Sequence, residues 1–458
     1  MKKLKKLLNL LLLSTMALVI CYFSIIYAFA DNIILENIKE TKDDHIPYDS
    51  FDSDFNSDDF EHNDYESTKT IVDENSTEVM STPKYEVVAD LDVEEVEPNN
   101  TINMKATKAY RVTGLKYKYA IQTSYVGTSY IFVSQSNSQG TTYLSRCTLN
   151  GTTATYKDQM VLTDFGHNQT LQFYSHNNKT YILIGCKSNK NINTKEDNYG
   201  NNLTIQVGRI QYVAGTTISS YAKVCRIVRL DCANTNGKAF DSLNESDLEK
   251  KDYIKTVIQR MDAALSSDKK YLVLAVRSIH GHIQYSYYDF NAINNLLDKV
   301  DGKSPNYINC NGNTSMKNAC KFYCIQKHGN RIIPNGSCQG IEFTNAYSIY
   351  MSSGAGTKNT PDKNNIYHNR IPKIAKMVKN SNGGYSYSAC IRITNTYTST
   401  PNNTTLSDYY MEIEGIQNTT NYLYFVLLPA RVPGTPLEQG TTQYIYSLSK
   451  QAIEERLS

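Results

Sequence analysis

The chain has 458 residues, no Trp, 36 Tyr and a formal charge of +2. A 40% hydrophobic content excludes a wholly disordered polymer. The near-neutral total hides two opposed halves: residues 31–100 hold 22 Asp and Glu against 4 Lys, a formal −18, whereas residues 101–458 hold 39 Lys and Arg against 23 acids, a formal +16.

The first element is an export signal. Met1-Lys2-Lys3-Leu4-Lys5-Lys6 carries four positive charges, an apolar run follows from Leu7 to Ala30, and Ala28 and Ala30 stand at the −3 and −1 positions before Asp31. This pattern predicts a secreted protein cleaved after Ala30, with residues 1–30 as signal peptide. The run is also long enough to span a bilayer as an uncleaved anchor. Ile20 stands before Cys21 where a lipoprotein signal takes a small residue, which argues against lipidation.

Residues 31–103 form the second element, an acidic linker or pro-segment with Asp43-Asp44, Asp58-Asp59 and Glu94-Glu95-Val96-Glu97. High charge and few apolar side chains leave too little burial to offset ordering entropy, so this stretch is expected to be disordered. It is either a solvated spacer or a removable segment that masks the basic part.

Residues 104–458, about 355 in number, exceed the usual size of a single core. Tyr130-Ile131-Phe132-Val133-Ser134, Tyr181-Ile182-Leu183-Ile184-Gly185 and Tyr271-Leu272-Val273-Leu274-Ala275 are apolar runs of strand length between polar turns. One helix candidate, Ser246-Asp247-Leu248-Glu249, has a capping-box pattern ahead of Tyr253–Ile258.

The apolar runs recur in pairs with a polar segment. Tyr119–Gln122 precedes Tyr130–Val133, Gly166–Leu171 precedes Tyr181–Ile184, and Arg260–Leu265 precedes Tyr271–Leu274. Cys338–Phe343 then precedes Tyr347–Met351, and Glu412–Gln417 precedes Tyr422–Val426. Five strand–turn–strand copies predict an all-β, five-bladed β-propeller-like domain, in which sheets around an axis protect one another's edges. If the polar segments line a central channel, Gln122, Gln169, Asp262, Gln339, Glu342 and Glu414 converge there as ligand-binding residues, with His167 beside Gln169 on one strand face. Chance similarity among strands of paired sandwiches is the alternative.

These copies carry a family likeness. Gly166-His167-Asn168-Gln169-Thr170-Leu171-Gln172 with Tyr181–Gly185 resembles the G-H-x-Q-T segment of helveticin J-like large bacteriocins. Arg260–Ser266, Gln339–Phe343 and Glu412–Ile416 are similar to it too. The resemblance covers about residues 110–430. It implies a secreted antibacterial protein with a propeller-like domain and no catalytic centre.

Asp262, Glu342 and Glu414 could supply the acid and nucleophile or base of a glycosidase. Carboxylates on inner strands more often bond neighbouring donors, and no Trp is present to stack a sugar. His280-Gly281-His282 places two His on one strand face, but zinc needs three or four ligands. No nucleotide-binding glycine loop, nucleophile elbow or H-E-x-x-H occurs, so no catalytic residue, metal or cofactor is assigned. Nine cysteines follow the signal, at 147, 186, 225, 232, 310, 320, 324, 338 and 390; an odd number leaves at least one unpaired within the chain, and no connectivity is assigned.

The scattered basic charge matches no nucleic-acid module. A +16 surface outside a cell attracts envelope polyanions or glycans, and Tyr-, Asn- and Ser-rich loops suit sugars. The expected function is a secreted, non-enzymatic bacteriocin that binds the envelope of competing bacteria, with contact to the target membrane open. A wall-glycan-binding lectin is the alternative and a glycosidase the third; oligomeric state is not indicated.

Overall fold

The computed structural model describes residues 100–189, 202–244, 256–327, 338–354, 372–379, 385–395, 409–431 and 440–457. The signal peptide, nearly all of the acidic segment and the helix candidate at Ser246–Glu249 lie outside the described residues. The chain divides into two units, and Lys69–Tyr174 with Tyr181–Ser458 is the one that holds the sheets.

The described chain is mostly β. Strands β1 (Thr101–Met104) and β2 (Thr107–Thr113) come first, so pairing starts three residues ahead of the expected boundary at 104. Then β3 (Ile121–Val126), β4 (Tyr130–Ser136), β5 (Thr142–Asn150) and β6 (Thr153–Leu162) form an antiparallel meander. Next come β7 (Leu171–His176), β8 (Lys179–Ser188) and β9 (Thr204–Ile210). Short β10 (Thr217–Ile218) pairs back on β6, and β11 (Cys225–Val228) extends the β7–β8–β9 sheet. A third sheet has the order β12 (Ile258–Leu265), β13 (Tyr271–Ser278), β14 (Ile283–Asp289) and β16 (Cys320–Gln326). Between the last two, β15 (Tyr307–Asn309) joins β11. The fourth runs β17 (Gly340–Phe343), β18 (Ile349–Ser353), β19 (Lys373–Lys379) and β20 (Tyr385–Ile393), with β1 parallel on its edge. Finally β21 (Tyr409–Asn418), β22 (Tyr422–Arg431) and β23 (Gln443–Ser449) pair on to β2, which also pairs in parallel with β6, so these strands and the first meander form one continuous sheet. The first strands of the domain thus complete sheets made by its last.

Burial explains why these runs pair as they do. Four of five apolar clusters draw on two successive sheets, and the fifth lies within the continuous sheet that β2 joins. Ile184 and Leu171 pack with Phe132 and Leu144; Leu183 and Val207 pack with Ala263 and Leu274; Val273 and Tyr285 pack with Ile341 and Met351. Ile374 and Ile391 pack with Ile413 and Phe425, and Val426 and Ile445 return to Ile121 and Val133. Each such side chain, fully buried, contributes roughly 1.5–3 kcal/mol. The strand runs expected at Tyr130, Tyr181 and Tyr271 therefore lie in β4, β8 and β13, whose centres are buried on both faces.

Helices occur where none was expected. Helix α1 (Phe290–Val300) follows β14, capped by Asp289, whose Oδ1 accepts the Ala292 amide at 3.0 Å. Phe290, Ile293 and Leu297 recur at helical spacing and enter the cluster shared by the second and third sheets. Tyr174 donates to Asn294 Oδ1 at 2.9 Å from that same side. Helices α2 (Thr314–Ala319) and α3 (Lys450–Leu457) are shorter.

Candidate functional site

Strands β3, β7, β12, β17 and β21 meet through a repeated set of contacts. Aligning Gln122, Gln169, Asp262, Gln339 and Glu414 puts a small residue one place later in every copy: Thr123, Thr170, Ala263, Gly340 and Gly415. Small size is needed because the backbones approach closely. A Cβ on Gly415 would stand 2.5 Å from Thr123 Cβ and 2.6 Å from the Gln122 carbonyl, and one on Gly340 would stand 3.1 Å from Gly415 Cα. Thr170 Oγ1 accepts the Ala263 amide at 3.0 Å.

Three places beyond the aligned residue, a side chain reaches the next sheet. Gln172 Oε1 accepts the Leu265 amide at 3.2 Å and Gln417 Oε1 accepts the Val126 amide at 2.7 Å. Glu342 accepts the Asn418 amide. Tyr125 fills the same place by stacking on Phe173, centroids 4.3 Å apart. Serine and threonine hydroxyls close the remaining gap: Ser134 donates to the Asn168 carbonyl at 3.4 Å and Thr142 to that of Gly166 at 2.7 Å. Contacts therefore run from β3 through β7, β12, β17 and β21 back to β3.

Register shifts help to aim the polar groups. In β3 the pairing steps from Ile121 to Thr123 across one partner step, leaving Gln122 as the extra residue. In β21 it steps from Ile413 to Ile416, with Glu414 and Gly415 between. Bulges of this kind re-aim a side chain out of strict alternation.

Four of the expected residues belong to one hydrogen-bonded network. Gln169 Nε2 donates to Gln339 Oε1 at 2.5 Å and to Glu414 Oε2 at 2.8 Å. Arg260 donates to Gln169 Oε1 and to the Cys338 carbonyl, and holds Asp262 through two bonds at 2.7 and 2.8 Å. Gln339 Nε2 also reaches Glu412 at 3.3 Å. Glu342 is held apart from these, by Gln172 at 2.6 Å. Gln122 is buried and donates to the Ala120 carbonyl at 3.5 Å, and among the described residues its Oε1 has no hydrogen-bond partner.

Electrostatics follow from burial. It pushes the Glu342 carboxyl up to about 7, against the opposing pull of Lys269, Gln172 and the Asn418 amide. Glu412 is likewise pushed up to about 7. Glu414 is raised well above the ordinary range by burial and then by Glu412, with Gln169 and Arg260 opposing. Burial, followed by the nearby Arg260 cation, drives His167 down to about 4.

Two expectations need correction. His167 and Gln169 precede β7 rather than sharing a strand face; His167 makes an isolated bridge to Leu203. His280 and His282 sit in the turn between β13 and β14, where glycine at 281 takes φ +78°, and His280 Nδ1 bonds Asp241 Oδ2 at 2.7 Å. Among the described residues no three His, Cys, Asp or Glu side chains group as metal ligands. Two network members were missed, Arg260 and Glu412, as was Gln172, which holds Glu342 outside the network. The first two stand two residues before Asp262 and Glu414, the spacing that keeps side chains on one face of a strand.

Comparison with known proteins follows this geometry. No curated protein matches the chain. A tail fibre of Staphylococcus aureus phage P68 is 13% identical, with a TM-score of 0.38, covering 77% of this chain and 54% of that one. An alpha-L-arabinofuranosidase from Lactobacillus brevis is 10% identical, TM-score 0.33, covering 75% and 92%. A periplasmic gluconolactonase of Pseudomonas aeruginosa is 10% identical, TM-score 0.27, covering 75% and 72%. This chain thus spans about half the length of the phage fibre chain. The family model of bacteriocin helveticin-J matches residues 95–447, the whole of the sheet-bearing part up to its last strand, and the chain belongs to that family.

Proposed function

We propose that the protein is a secreted, non-enzymatic bacteriocin whose five-bladed propeller docks on the envelope of competing bacteria through polyanions or wall glycans. The family match over residues 95–447 carries this reading. Five buried apolar clusters in succession along the chain, and a cycle of contacts through β3, β7, β12, β17 and β21, support the propeller. β2 beside β23 acts as the closing strand between the chain's two ends. The signal-like pattern of residues 1–30 supports export.

Binding is favoured over glycoside hydrolysis by the state of the carboxylates. Asp262 is engaged by Arg260, Glu414 by Gln169 and Glu342 by Gln172, each at hydrogen-bond distance. A hydrolase needs one carboxyl to protonate the leaving oxygen and another free to attack or activate water. The same amide-rich network supports the second reading, a non-lethal wall-glycan-binding lectin.

The deciding experiment applies secreted full-length protein to related bacteria and follows growth inhibition, membrane leakage and binding to isolated walls. Inhibition with binding is expected. Wall binding with no growth effect transfers the assignment to the lectin. Sugar release that disappears in Glu342→Gln or Glu414→Gln transfers it to the glycosidase.

A further inference from the structure

Away from the first-strand network, three tyrosines converge beside the first sheet. Tyr117 and Tyr119 lie on the segment entering β3, and Tyr143 lies on β5. Their ring centroids are 4.1 Å apart for Tyr117 and Tyr143, 5.7 Å for Tyr117 and Tyr119, and 5.9 Å for Tyr119 and Tyr143. Tyr119 lies within 19° of parallel to Tyr117 and 17° of parallel to Tyr143. It is 39% exposed, while its two neighbours are half-buried.

An aromatic cluster can exist for packing alone, but this one is held in place by buried amides. Gln135 Nε2 donates to the Tyr117 and Tyr119 carbonyls at 3.1 and 2.5 Å. Gln443 Nε2 donates to the Tyr119 carbonyl at 2.8 Å while its Oε1 accepts the Ile121 amide at 2.9 Å. Asn137 donates to the Tyr143 hydroxyl at 3.2 Å, and its Oδ1 accepts the Gln139 and Thr141 amides. A segment fixed in this way loses little conformational freedom on binding.

Charge identifies the occupant. Exposed Lys116 and Lys118 alternate with Tyr117 and Tyr119, and the sixty residues from Pro98 to Lys157 hold seven Lys and Arg but no Asp or Glu. Flat aromatic faces accept the C–H face of a sugar ring, and ammonium groups bind phosphate. A neutral glycan would leave the lysines unused, and a bare polyphosphate would leave the rings unused.

We propose that Tyr117, Tyr119 and Tyr143, with Lys116 and Lys118, form a docking surface for a sugar-bearing phosphodiester polymer of the bacterial wall. This rests on the envelope-binding reading above and names its receptor chemistry. The test is calorimetric titration of full-length secreted protein with purified glycosylated poly(glycerol phosphate), a neutral glucan and inorganic polyphosphate. Tyr119→Ala, at an exposed position, is expected to weaken the glycosylated polymer about tenfold and leave polyphosphate unchanged, with Tyr119→Phe close to the parent. Lys116→Gln with Lys118→Gln is expected to weaken both anionic polymers and flatten their salt dependence. Unchanged polymer binding by Tyr119→Ala overturns the surface and leaves envelope binding standing. So does parent protein that binds intact walls but not this polymer, or that binds neutral glucan equally well. Parent protein that binds neither walls nor polymer overturns the envelope reading itself.

Discussion

Arg260 holds Asp262 by two parallel hydrogen bonds, Nε to Oδ2 at 2.7 Å and Nη2 to Oδ1 at 2.8 Å, with both side chains under 10% exposed. The same guanidinium reaches Gln169 and the Cys338 carbonyl, so one side chain ties β12 to the segments before β7 and β17. Removing one partner of a buried pair leaves an uncompensated charge, which costs about 3–5 kcal/mol. Arg260→Met is expected to lose stability of that order in chemical denaturation. Arg260→Met with Asp262→Leu is expected to regain much of it. If Arg260→Met matches the parent, the pair contributes nothing to holding the sheets together.

The aligned glycines make a sharper geometric claim. At Gly415 a Cβ would meet Thr123 Cβ and the Gln122 carbonyl, and the latter is backbone that cannot rotate away. Gly415→Ala is expected to cost about 1–3 kcal/mol by forcing β21 away from β3. Thr123→Gly is expected not to rescue it, since the carbonyl contact remains. Full rescue, read from denaturation midpoints, would place the clash on the threonine alone.

The five copies were legible because strands that line one another repeat the same small-plus-polar order: Gln122-Thr123, Gln169-Thr170, Asp262-Ala263, Gln339-Gly340, Glu414-Gly415. The apolar runs after them were legible as strands for the same local reason. Contacts that span the chain were not. β2 beside β23 joins Val112 to Gln443, and nothing near Val112 announces that partner. Helix α1 was overlooked even though Phe290, Ile293, Leu297 and Val300 keep helical spacing behind the Asp289 cap. Its Asn-rich sequence reads as a turn, and only the apolar cluster it enters overrides that. Gln169 falls before its strand rather than on it, so simple alternation could not aim it; the cross-sheet amide bonds do.

Proton linkage separates the acids from His167. Glu342 and Glu412 rise from 4.5 to about 7 on folding, so between those values the native state binds more protons than the unfolded chain. Stability therefore falls as pH rises from 4.5 to about 7 and is level above it. His167 acts oppositely: its folded value of about 4 lies below 6.5, so stability is lost as pH falls from 6.5 to about 4. Glu342→Gln is expected to remove on the order of 3 kcal/mol of the alkaline-side loss. His167→Gln is expected to flatten the acid side. The check is denaturation midpoints from pH 4 to 8, and parallel curves for parent and Glu342→Gln would deny that Glu342 is buried in its charged form.

Burial and protonation decide how readily the cysteine thiols react. All nine in the described residues are buried. Burial pushes Cys147, Cys186, Cys225, Cys232 and Cys320 up to about 12, and Cys338 to about 11. Since the thiolate is the reactive species, a buried thiol with a raised pKa is protected twice, by access and by protonation. Cys147, Cys186 and Cys225 lie within β5, β8 and β11, where they fill apolar positions. A thiol-specific chromogenic reagent at pH 8 is expected to label fewer than one cysteine per native chain within minutes. After unfolding, the cysteines at 147, 186, 225, 232, 310, 320, 324, 338 and 390 are all expected to react. Prompt labelling of several thiols in the native protein would show that the sheets open readily. A shortfall after unfolding without reductant would show that oxidation joins some of these side chains, with Cys232 and Cys310 the first pair to examine because their buried groups interact.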